Sequence, residues 1–163
     1  MKKLDNRGFS LVELMVVIGI IAVIIGAFSY GYSVISNKEV DQCAKKIQTV
    51  LDSTRNTAMG KRSVNLQLYY NGGKIMAERT VNGTEVKKME VGDGSLVVKY
   101  TFTDNSEKTL STDPLSDISF NRGSGALNPC SGGKYLKKIT ISNGKKSVYV
   151  EIEKLTGRVT FTK

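Results

Sequence analysis

The sequence predicts an α+β chain in which one long N-terminal helix is followed by an antiparallel β-sheet or β-sandwich head. Three observations carry that expectation. Leu14 to Asn37 runs 24 residues without a charged side chain. From Val40 to Ala58 apolar side chains then recur at three- and four-residue spacing. Beyond Gly60 the period drops to two, punctuated by Asn-Gly and Gly-Gly dipeptides. With 40% apolar and 24% charged residues, 16 Gly and 2 Pro in 163 residues, the composition is globular and excludes disordered and collagen-like classes.

The apolar run is the first element. As a helix it would be about 36 Å long, enough to cross a hydrocarbon core of about 30 Å. A cleaved secretory signal needs a shorter core, of about 7–15 residues, and a small-residue site after it. Here Gly19, Ala22, Gly26 and Ala27 lie inside the run instead. Lys2, Lys3 and Arg7 precede it against Asp5 alone, so the positive-inside rule keeps the N-terminus in the cytoplasm and sends the remainder across. Glu13 stands at the head of this helix, where a carboxylate leaving water asks for a cationic partner. Taken alone, it fits equally a side chain at the headgroup boundary that snorkels to water.

The second element is amphipathic. Val40, Ala44, Ile47, Leu51, Thr54 and Ala58 share a face, and the helix should stop near Gly60. Strands follow. Val64, Leu66, Leu68 and Tyr70 alternate before Asn71-Gly72-Gly73, and Lys74 to Val81 returns before Asn82-Gly83. Leu96, Val98, Tyr100 and Phe102 alternate next, then Ile118 to Phe120 makes a short strand. Asn121 to Lys134 is the expected long loop. Ile139 and Ile141 precede Asn143-Gly144, the strongest short hairpin signal, and Val148, Val150 and Ile152 follow it. Thr156-Gly157 turns into a last strand with Val159 and Phe161 inward. Five or more antiparallel strands packed on one helix are expected.

The run Arg7-Gly8-Phe9-Ser10-Leu11-Val12-Glu13-Leu14-Met15-Val16-Val17-Ile18 resembles the N-terminus of type IV prepilins and type II secretion pseudopilins. It joins a basic leader, a Gly before a Phe, and a Glu four residues beyond that Phe at the head of an apolar helix. The resemblance implies a pilin fold. Residues 1–8 would be a leader peptide, 9–37 a transmembrane and filament-core helix, 38–60 its amphipathic half, and 61–163 the β-rich head. It also implies that a prepilin peptidase cuts between Gly8 and Phe9 and methylates the Phe9 amine. Glu13 would then meet the terminal amine of a neighbouring subunit during assembly. The implied partners are that peptidase, other pilin or pseudopilin subunits, the cytoplasmic membrane and a pilus assembly platform. The implied location is a single-pass membrane protein before assembly and an extracytoplasmic filament afterwards. The only prolines are Pro114 and Pro129, outside the apolar helix where many major pilins carry one. That departure favours a minor pilin, a pseudopilin or a divergent pilin over a typical major one. The end of the chain, from Lys137-Lys138-Ile139-Thr140-Ile141 to Leu155-Thr156-Gly157-Arg158-Val159, resembles H-type minor pseudopilins and FimT-like pilins.

No catalytic constellation is visible, so a structural protein rather than an enzyme is expected. Histidine is absent and two cysteines cannot form a zinc cage. The Gly-Gly-Lys triplets fail phosphate-loop spacing, and Asp104, Asp113 and Asp117 lack the alternation of a calcium loop. No metal or cofactor is expected. Cys43 and Cys130 either form an extracytoplasmic disulfide or remain two thiols, with Cys43 buried on the helix face. Without residues 1–8 the chain would keep 21 basic against 14 acidic residues, a net +7. The final thirty residues hold Lys134, Lys137, Lys138, Lys145, Lys146, Lys154, Arg158 and Lys163 against Glu151 and Glu153. Such a stripe could track phosphates. The FimT-like resemblance would carry DNA binding onto Arg158, and the basic stripe adds Lys138, Lys145 and Lys146 as candidate phosphate contacts. The alternative function is therefore a competence-type pilin that captures DNA.

Overall fold

The computed structural model describes residues 10–114, 117–130 and 132–162, apart from the side chains of 28–35, 85 and 86. It contains the helix α1 (Leu11–Met59) and nine strands: β1 (Val64–Asn71), β2 (Lys74–Val81), β3 (Thr84–Asp93), β4 (Val97–Phe102), β5 (Glu107–Thr109), β6 (Ile118–Ser119), β7 (Leu136–Ser142), β8 (Ser147–Ile152) and β9 (Val159–Thr162). The chain divides into two units, residues 1–36 and 37–163.

In the first unit α1 begins with a side-chain cap. The Val12 N–H donates to Ser10 Oγ at 3.3 Å and the Leu14 N–H to the Ser10 carbonyl at 3.1 Å, the pattern by which serine satisfies orphan donors at a helix start. Glu13 lies in that first turn, where a carboxylate is favoured by the helix dipole.

In the second unit the rest of α1 joins two antiparallel sheets around one core. Val40, Cys43, Ala44, Ile47, Leu51 and Ala58 are buried, as the three-and-four spacing predicts. Thr54 is fully buried too, and its hydroxyl donates to the Val50 carbonyl one turn back. The helix ends as expected beside Gly60, but the left-handed residue that closes it is Lys61, at φ 63°.

One sheet has the order β3-β2-β1-β6 and the other β5-β4-β7-β8-β9. In β1, Val64, Leu66 and Leu68 face inward; in β7 and β8, Ile139, Ile141, Val148, Val150 and Ile152 do so. The β1–β2 and β2–β3 connections are two-residue turns in which both central residues have positive φ, Gly72-Gly73 and Asn82-Gly83, the geometry that matches strand twist. Asn143-Gly144 is different. Ser142 pairs with Ser147 across four residues, and Asn143 Oδ1 accepts from the Lys145 and Lys146 N–H groups.

Two strands escaped the alternation rule. The β2–β3 register slips at Ile75/Met76 and again at Arg79/Thr80 of β2, each time leaving one β3 residue without a partner, so the β3 pattern loses phase. β5 is three exposed residues on a sheet edge. The described residues of 121–134 form a loop as predicted, but a pinned one: Phe120 bridges Leu127, and the Leu127 N–H donates to the Lys154 carbonyl.

Candidate functional site

The candidate site begins where the first turn of α1 forms. Glu13 is exposed there, and every large apolar side chain named from Leu11 to Ile25 is 46–75% exposed. A helix that is apolar on all faces needs an apolar surrounding on all faces, since water around such a surface forfeits burial worth about 25 cal/mol per Å². The only charge within this stretch is the Glu13 carboxylate. Gly8 and Phe9, the expected cleavage and methylation residues, lie outside the described residues.

Residues 3–29 match the prokaryotic N-terminal methylation motif. The match covers the basic residues Lys3 and Arg7, the Gly8-Phe9 pair, the Ser10 cap, Glu13 and the apolar helix through Ala27. No curated protein and no solved structure matches the chain. The methylation motif thus identifies the N-terminal segment as type IV pilin-like. Among the described residues no helix is long and apolar enough to cross a membrane. The side chains of residues 28–35, within the uncharged run, lie outside the described ones.

The two cysteines are separate buried thiols, so the disulfide left open by the sequence is not made in this structure. Cys43 on α1 packs against the first sheet, where a Cβ added to Gly92 would lie 2.6 Å from its Sγ. Cys130 sits in the 121–134 loop, its N–H donating to the Lys134 carbonyl. Burial pushes the Cys43 thiol up to about 12, against the opposing pull of Lys46, and pushes Cys130 up as well.

The basic residues near the C-terminus do not form one free stripe. Lys146 Nζ pairs with Asp41 of α1 at 2.7 Å, half-buried. Lys138 lies over the Tyr149 ring at 4.7 Å and Lys154 over Tyr135 at 3.9 Å. Lys134 bonds Asp104, holding that carboxyl well below the usual range together with Ser106. Lys145 and Arg158 are exposed. Gly157, before Arg158, is buried at φ 64°, and a Cβ there would overlap the Gly125 carbonyl oxygen. Its neighbour Thr156 accepts from Arg55 Nε of α1 at 2.9 Å. The Thr-Gly-Arg segment is therefore a packing junction between α1, the 121–127 loop and the last two strands. Sequence spacing gives no sign of it, because the contacting glycines are 32 positions apart in the chain.

Proposed function

We propose that this chain is the precursor of a filament subunit of the type IV pilus and type II secretion pseudopilus kind, inserted in the membrane and assembled through its N-terminal helix. The N-terminal methylation motif at residues 3–29 carries the reading. A prepilin peptidase cleaves between Gly8 and Phe9 and methylates the new amine. The uncharged run Leu14 to Asn37 holds the subunit in the cytoplasmic membrane, N-terminus inside, until assembly. Glu13 then meets the terminal amine of a neighbour. Two opposite charges leaving water together cost less than either alone, and stranding one costs an estimated 3–5 kcal/mol.

Loss of the helix proline, and the resemblance of the chain's end to H-type heads, support a minor subunit. The test is the mass and N-terminal sequence of the protein from its host membrane. A chain starting at Phe9 and carrying one extra methyl is expected; a chain retaining Met1, or cut beyond the apolar run, overturns the proposal. The exposed Arg158 and Lys145 support DNA capture as a second reading, whereas the Asp41 pairing removes Lys146 from it. Salt-dependent DNA affinity lost on Arg158→Ala and Lys145→Ala would favour it, and no affinity at low salt would remove it.

A further inference from the structure

Between the middle of α1 and the β2–β3 pair lies a cavity of about 110 Å³. Arg79 and Lys87 supply positive charge, Thr49 and Ser53 supply hydroxyls, and Val50 and Met89 supply apolar wall; among the described residues no acidic side chain lines it. Two independent features show that this charge is unbalanced. Arg79 and Lys87 are direct partners across antiparallel strands, an arrangement in which like charges destabilise a sheet. One position along, Glu78 and Lys88 are also partners and form an ion pair at 3.3 Å, so the neighbouring pair is matched where this one is not. The second feature is a missing acceptor. Arg79 spends one terminal nitrogen on Ser53 Oγ at 2.6 Å, while its Nε is buried with no hydrogen-bond partner. Buried polar groups in native proteins are nearly always bonded, and one left over asks for an explanation.

We propose that this cavity binds a carboxylate carried on a short apolar stem. The carboxylate lies between the Arg79 guanidinium and the Lys87 ammonium, and the stem lies on Val50 and Met89. A charged acceptor makes the stronger class of hydrogen bond with a guanidinium, and the apolar wall favours a carbon-borne acid over bare phosphate. The cavity is smaller than the roughly 150 Å³ that takes benzene, which limits the stem to a few carbons. The stem is either a free short-chain acid or the side chain of a glutamate on a partner chain. The inference concerns the head and does not depend on filament assembly.

The test is titration of the full-length protein in detergent micelles with butyrate, butylammonium and inorganic phosphate, read by amide NMR shifts. Saturable shifts at Ser53, Arg79, Lys87 and Met89 are expected with butyrate alone. Arg79→Gln should weaken binding about tenfold, the value of one charge-assisted bond. Lys87→Gln should weaken it severalfold, and because Lys87 is exposed this variant keeps the test decisive if Arg79→Gln disturbs Ser53. Equal shifts with butylammonium, tighter binding of phosphate, no saturation, or unchanged affinity in Lys87→Gln would each overturn the proposal. Competition by N-acetylglutamate amide separates the sources: displacement of butyrate points to a partner's side chain, and failure to displace it points to a free acid.

Discussion

At Gly157 the chain combines a left-handed backbone with a carbonyl oxygen where a side chain would begin. Gly157→Ala must therefore accept strain and also displace the Gly125 loop, and a loss of about 2–4 kcal/mol is expected. Gly144 has a similar φ of 84° but open space around it, so Gly144→Ala should cost only about 1–2 kcal/mol. The difference in urea midpoints at constant m-value checks the comparison. Cys43 gives a pH dependence. Its folded thiol ionises at about 12, above the unfolded value near 8.5, so its contribution is complete below about pH 8.5 and is lost as pH rises toward 12. Tyr70 and Tyr100, both raised by burial, add to the loss above about pH 10. Urea denaturation at pH 7, 9 and 10.5 should show falling stability, with a shallower fall in Cys43→Ala; a flat profile would contradict the burial argument. Both thiols should resist alkylation at pH 8 until the protein is unfolded.

Among the elements, the buried stripe of α1 outweighs its ion pairs. Leu51→Ala removes a fully buried side chain and should cost about 2–5 kcal/mol, whereas Asp41→Asn, which breaks the pair with Lys146, should cost about 1 kcal/mol or less. Paired thermal and urea unfolding of the two variants checks the order. These magnitudes also explain what could be read beforehand. Val40 to Ala58 and the strands around Leu66, Tyr100, Ile139 and Val150 were legible because burial imposes a strict period on them. β3 was not, because two register slips break its period and its exposed residues are mostly charged or polar. The Asn143-Gly144 signal marked a turn correctly, yet the two-residue geometry it normally predicts belongs to Asn82-Gly83 instead.

For the whole molecule, the legible part of the candidate site is the part written in consecutive residues. Gly8, Phe9 and Glu13 form a linear signature that needs no folding to be seen, and the motif match covers that segment. The cavity at Arg79 was invisible because it depends on the pairing of Arg79 with Lys87 and on the helix face that brings Ser53 to them. On the proposed function, Glu13→Ala should leave membrane insertion unchanged and abolish filament assembly, which fractionation and electron microscopy of the host surface would separate. Equal assembly in the variant would leave only an anchored protein. In the second unit α1 is tied to the turns of the larger sheet at two levels, through Asn37 and Asp41 to Asn143 and Lys146, and through Arg55 to Thr156. Asp41 and Arg55 are 14 residues apart, about 21 Å along a helix. A pull along α1 would thus load both fastenings in shear together rather than peel them one after the other, which on the proposed function would suit a head that must stay on its helix under tension.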